Sequence, residues 1–173
     1  MANYEFCVCS DTFTVKQEDI ENVRRAIGYF EESEIDSKGN AFIGSYEQTL
    51  SDDLLVLIDN RTNKVICTFD DGYISIEDAI EENCDTIEED LKKANIPSNF
   101  DEPYSTEDFR TIPFAEYIQS VLIDKEYVLI KEVGHEKLRY AVGCGLLITQ
   151  KSIKWIDLYN IAMEIVEKEN LAS

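Results

Sequence analysis

The chain is 173 residues long and 44% hydrophobic, enough to bury one sizeable core or two small ones packed together. Its 36 acidic residues against 16 basic ones leave a net charge of −20, which argues against direct binding to nucleic acid or to an anionic membrane surface and for a basic partner. The longest apolar runs, 54–58 and 145–148, fall far short of the roughly 20 residues that a membrane-spanning helix requires.

Residues 1–5 carry neither the basic region nor the apolar core of a secretory leader, so a cytoplasmic protein is expected. In chain order, 3–9 reads as a first strand in which Cys7 and Cys9 share a face. A helix is expected over 16–32, where Ile20, Val23, Ile27 and Phe30 recur at helical spacing. The cluster at 36–40 is a turn, followed by strands over 41–46, 54–59 and 64–69, the last two closed into an antiparallel hairpin by 60–63.

The chain turns again at 70–72. Ser75, with Asp78 three residues on, opens a helix running to about residue 94, with Ile76, Ile80, Cys84, Ile87 and Leu91 as its apolar stripe. Residues 95–113 hold all three prolines and four acids without periodicity, which reads as a long loop. A short helix over 114–123, a three-stranded meander over 126–133, 138–149 and 152–157, and a last helix over 158–170 bearing Ile161, Ile165 and Val166 complete the chain. The order βαβββα-αβββα, with strands in runs, predicts an α+β fold of mainly antiparallel sheets with flanking helices. A single compact unit over 1–173 is expected, or two packed halves, 1–95 and 113–173, joined by loop 96–112.

No catalytic centre stands out. The five cysteines are an odd number spread through strand and helix interiors, so they are expected as reduced, packed thiols, with no disulfide and no metal. His135, the single histidine, is placed at a hairpin tip, and nine residues of extended strand would hold it about 30 Å from Cys144, too far for a nucleophilic pair. The Gly143-Cys144-Gly145 run lacks the helix and third glycine of a phosphate loop and marks a bulge or close backbone packing. The clusters at 36–40 and 59–63 resemble fragments of calcium loops but contain a basic residue and lack the spaced glutamate. Neither catalysis nor a cofactor is expected.

Charge is the informative feature. Residues 51–110 hold 17 acids against 5 bases, and 70–108 alone hold 14 against Lys92 and Lys93. On the helix from Ile76, the surface outside the apolar stripe carries Glu77, Asp78, Glu81, Glu82, Asp85, Glu88, Glu89 and Asp90. Glu77, Glu81, Asp85 and Glu88 or Glu89 follow i, i+4 steps, an arrangement that destabilises an isolated helix and that stability alone would have replaced with interleaved lysines. The same steps approach the spacing of successive phosphates along a nucleic-acid strand. Asp101, Glu102, Glu107 and Asp108 extend the run beyond the helix, and Asp52, Asp53, Asp70 and Asp71 precede it. The alternative is an ordinary solvated face.

In composition and charge pattern the chain resembles the small acidic DNA-mimic inhibitors that phages and mobile elements use against restriction or CRISPR enzymes. The resemblance implies a cytosolic protein without cofactor that blocks the nucleic-acid groove of a basic host nuclease, with Glu77, Asp78, Glu81, Glu82, Asp85, Glu88, Glu89, Asp101 and Glu102 as the partner-binding residues. The chain is similar in the same way to acidic immunity or antitoxin proteins. These would pair acids with an exposed aromatic patch, for which Phe100, Tyr104 and Phe109 are the candidates unless they staple the loop to the core.

Overall fold

The computed structural model describes residues 4–97, 104–136, 140–157 and 161. In chain order its elements are β1 (Tyr4–Ser10), β2 (Phe13–Thr14), α1 (Ile20–Ile27), β3 (Glu34–Ile35), β4 (Asn40–Phe42), β5 (Gly44–Ser45), β6 (Leu54–Asp59), β7 (Lys64–Asp70), α2 (Ile76–Glu82), α3 (Cys84–Lys93), β8 (Phe109–Pro113), α4 (Phe114–Val121), β9 (Tyr127–Glu136), β10 (Tyr140–Thr149) and β11 (Ser152–Asp157). All strand pairs among the described residues are antiparallel, and the protein has an α+β fold. No helix among the described residues is long and apolar enough to cross a membrane.

Three sheets form, ordered β11-β10-β9-β1-β5, β2-β4-β3 and β7-β6-β8. The first joins β1 to the meander of β9 to β11, so the stretches 1–95 and 113–173 share one sheet. Its inner face sends Val8, Ile130 and Ile148 into the main core, where they meet Val23 and Ile27 of α1, Ile118 of α4 and Val56 and Ile58 of β6. Leu57 of β6 points the other way, into a second core built from Ile66, Phe69, Ile80, Ile87 and Leu91. The sheet of β6 is therefore covered on both faces, which is why 54–58 is an unbroken apolar run rather than an alternating one. α2 and α3 are the cover on the second face.

The fold departs from the sequence reading at several points. The first helix is shorter, a 3-10 turn over 17–19 followed by α1, and it stops at Ile27 before Gly28. Phe30 still fills the core from the turn beyond it. The stretch 95–113 is only partly loop, since β8 pairs along β6 from Asp59↔Phe109 to Leu55↔Pro113. As an edge strand with Arg110 and Thr111 exposed and Pro113 at its end, β8 lacks the apolar alternation that marks a strand in sequence. His135 is not at the hairpin tip but within β9, paired with Ala141. Folding back of β10 puts Cys144 three register positions from that pair, about 10 Å along the strand instead of 30 Å. The last helix, 158–170, lies outside the described residues except for Ile161, which is helical and exposed.

Candidate acidic interface

The acidic helices begin at Ser75, whose hydroxyl accepts the Asp78 N–H at 3.2 Å and donates to the Asp78 carboxylate at 2.8 Å. This is a cap in which the acid bonds the serine side chain rather than its backbone. The expected single helix is two. At Asn83 the side-chain amide donates to Ala79 O at 2.9 Å and to Cys67 Sγ at 3.4 Å, while the Asn83 N–H reaches back to Ile80 O at 3.2 Å. Asparagine competing for backbone groups in this way ends α2, and the Asn83 carbonyl then accepts from Ile87 to start α3. The i, i+4 relation of Glu77 to Glu81 holds inside α2, but the step from Glu81 to Asp85 crosses the break.

Burial sorts the carboxylates. Ile80, Ile87 and Leu91 are buried, whereas Ile76 and Cys84, also expected in the stripe, are half-buried. Glu77, Asp78, Glu81, Glu82, Asp85 and Glu89 are exposed, and Glu88 is half-buried near Tyr104. Among the described residues only Glu89 of this group has an ion pair, with Lys93 at 2.8 Å. Asp85, Glu88, Glu89 and Lys92 line an open groove whose far wall is Asn95, Ile96 and Pro97. Asp101, Glu102 and Phe100 lie outside the described residues.

Asp90, read from sequence as part of the exposed face, is instead 1% exposed. Arg25 of α1 grips it with both terminal nitrogens and Lys64 Nζ adds a third bond at 2.7 Å. Burial pushes the Asp90 carboxyl up, but those bonds outweigh it and hold the group below its ordinary value of 3.8. Asp59, fully buried, is held by Arg61, which also bonds Asp108 at 3.1 Å. The Arg61 guanidinium lies 5.5 Å from the Tyr104 ring centre and 5.3 Å from that of Phe109. Arg25, Arg61 and Lys64 are thus turned inward to buried acids, while Lys92 and Lys93 stay exposed at the end of α3, where Lys93 pairs with Glu89.

The upstream acids join the field through the sheet end. The Asp71 N–H donates to Asp53 O at 3.1 Å, which sets exposed Asp52, Asp53 and Asp71 beside the start of α2. Asp70 is buried and caps its own turn through Gly72 N–H. In this field stands Tyr73, 90% exposed. The sequence reading missed it, although the signal was present: a tyrosine directly after the Asp70-Asp71-Gly72 turn belongs to no apolar stripe. Phe109 is buried and Tyr104 half-buried on Arg61, so these two staple the loop to the core and form no surface patch.

The other chemistry-bearing residues have structural tasks. The Asp36 carboxylate accepts the Lys38 and Asn40 N–H groups and the Asn40 side chain, and these bonds, the last foremost, lower its proton affinity. Cys67 is pushed up to about 11, mainly by burial, so its thiol stays protonated at neutral pH. All five cysteines are free and half-buried. Gly145 is buried where a side chain would meet Ile130 O at 3.2 Å, and the β10 register runs on without a bulge, so close packing explains that glycine. Among the described residues no three His, Cys, Asp or Glu side chains converge as metal ligands would. No protein-family model, no curated protein and no solved structure matches this chain.

Proposed function

We propose that this is a cytoplasmic, non-catalytic inhibitor that needs no cofactor and binds a basic nucleic-acid-binding protein, such as a defence nuclease, by presenting carboxylates where the partner expects phosphates. The observation that carries the reading is the segregation of charge. Glu77, Glu81, Glu82 and Asp85 face solvent with no ion pair among the described residues, while Arg25, Arg61 and Lys64 are committed to buried Asp59 and Asp90. The inward cations are used on those buried acids, so these outward carboxylates keep their field toward solvent. A basic groove would recover the electrostatic free energy that such a face forgoes in isolation.

Glu77, Glu81 and Asp85 are the appropriate residues to reverse, because Glu88 is half-buried near Tyr104 and Asp78 helps cap α2. The test immobilises the protein, isolates the partner retained at low ionic strength, and competes with duplex DNA. DNA should displace the partner, and the triple variant E77K/E81K/D85K should fail to retain it. Retention by the variant together with indifference to DNA would refute mimicry. A second reading, an immunity-type or adaptor module, is favoured by the exposure of Tyr73 within the acids. Under it, Tyr73→Ala becomes the single most damaging substitution, whereas under mimicry the loss is spread over the carboxylates.

A further inference from the structure

The inner face of the five-stranded sheet holds a cavity of about 230 Å³, walled by Leu54, Phe114, Ala115, Leu146, Ile153 and Trp155. This is smaller than the roughly 300–1,000 Å³ of small-molecule and cofactor sites, and of a size for one large side chain. Two of its walls, Ile153 and Trp155, come from β11, the outermost strand of that sheet. The loop over 50–54 is pinned beside it, since the Leu50 N–H donates to Glu132 Oε2 at 2.8 Å and the Ser51 hydroxyl accepts the Asp53 N–H at 3.0 Å. Trp155 is 47% exposed, and the rim carries Asp52 and Glu116, both exposed and with no ion pair among the described residues.

An apolar base under an indole and two unpaired carboxylates is complementary to a large apolar side chain with cations on either side. We propose that the Trp155 cavity is an anchor site that receives one aromatic or branched side chain from a basic segment of the partner protein. This rests on the reading of the partner as basic, and it extends the contact surface from the acidic helices across Asp53 and Asp52 to the sheet. The cavity supplies the desolvated contact that a purely electrostatic face lacks.

Trp155 is the chain's only tryptophan, so its emission reports on the site directly. The probe is a hexapeptide of lysines and threonines with one central phenylalanine, titrated against the full chain. A saturable change in Trp155 emission is expected, and replacing the phenylalanine with alanine should weaken binding about tenfold or more, the factor for withholding one large side chain from burial. Ala115→Leu, which narrows the cavity, and separately Asp52→Lys with Glu116→Lys on the exposed rim, should weaken it too. Exposed Lys154→Ala on the same strand, which removes a cation and leaves the cavity walls in place, should not weaken the response. Equal binding of the alanine peptide, or indifference to all of the cavity and rim changes, overturns the anchor while leaving the acidic helices in play. Equal binding of a peptide with glutamines for lysines overturns the basic flank, and with it the reading of the partner.

Discussion

Asp90 lies on the acidic helices yet faces the protein, and Arg25 and Lys64 turn it into a structural group. Replacing it with alanine takes the buried partner from two cations that keep 19% and 35% of their side-chain exposure, Arg25 retaining only the Val65 carbonyl and a 3.9 Å pair to Glu21, so the cost should be about 3 kcal/mol, the lower end for opening a buried pair. Urea unfolding measures this, with Glu89→Ala, which opens only the exposed pair to Lys93, as a control that leaves the midpoint almost unmoved. The pH dependence has a definite sign. Because the folded-state pKa lies below the ordinary 3.8, the stabilisation is complete above that value and is lost as pH falls below it. An Asp90→Asn variant should lose that part of the acid-induced decline, and an unchanged slope below pH 3.8 would show that Asp90 is not the group responsible.

α2 and α3 form a paired unit whose halves have separate supports. α2 depends on the Ser75 cap, and α3 on the buried Ile87, Leu91 and Asp90. Ser75→Ala should therefore cost about 1 kcal/mol, and hydrogen exchange should locate the loss in α2, with the amides of α3 keeping their protection. Faster exchange through both helices would mean that the Asn83 break does not uncouple them. The apolar stripe was legible because Ile80, Ile87 and Leu91 recur at helical spacing, but the break was not. Asn83 ends α2 by bonding Ala79 O with its side chain, a competition for backbone groups that apolar periodicity does not record. β8 was hidden for a related reason: an edge strand needs one good neighbour, here β6, and little apolar signal of its own. The candidate interface was legible as a count of acids. The inward turn of Asp90 and the pairing that brings Asp53 to Asp71 depend on tertiary placement, so burial could not be assigned to individual acids from spacing alone.

At the scale of the whole molecule, a charge of −20 with Glu77, Glu81, Glu82 and Asp85 in no ion pair among the described residues means that salt has opposite effects on folding and on binding. Self-repulsion opposes the compact state, and its reach shrinks from about 30 Å at 0.01 M salt to about 8 Å at 0.15 M. Raising ionic strength over that range should therefore raise the melting temperature. The buried pairs at Asp59 and Asp90 are shielded from ions by the protein itself and lose little. Affinity for a basic partner should fall steeply over the same range, because the same carboxylates then provide attraction that salt screens. The variant E77K/E81K/D85K separates the two effects: it removes repulsion, so its melting temperature should start higher and respond less to salt, while its binding is lost. Melting curves and partner affinity measured in parallel across this salt range decide the matter. A melting temperature that rises with salt beside an affinity that does not change would mean that the acidic face is a solvated surface and that the partner is held elsewhere.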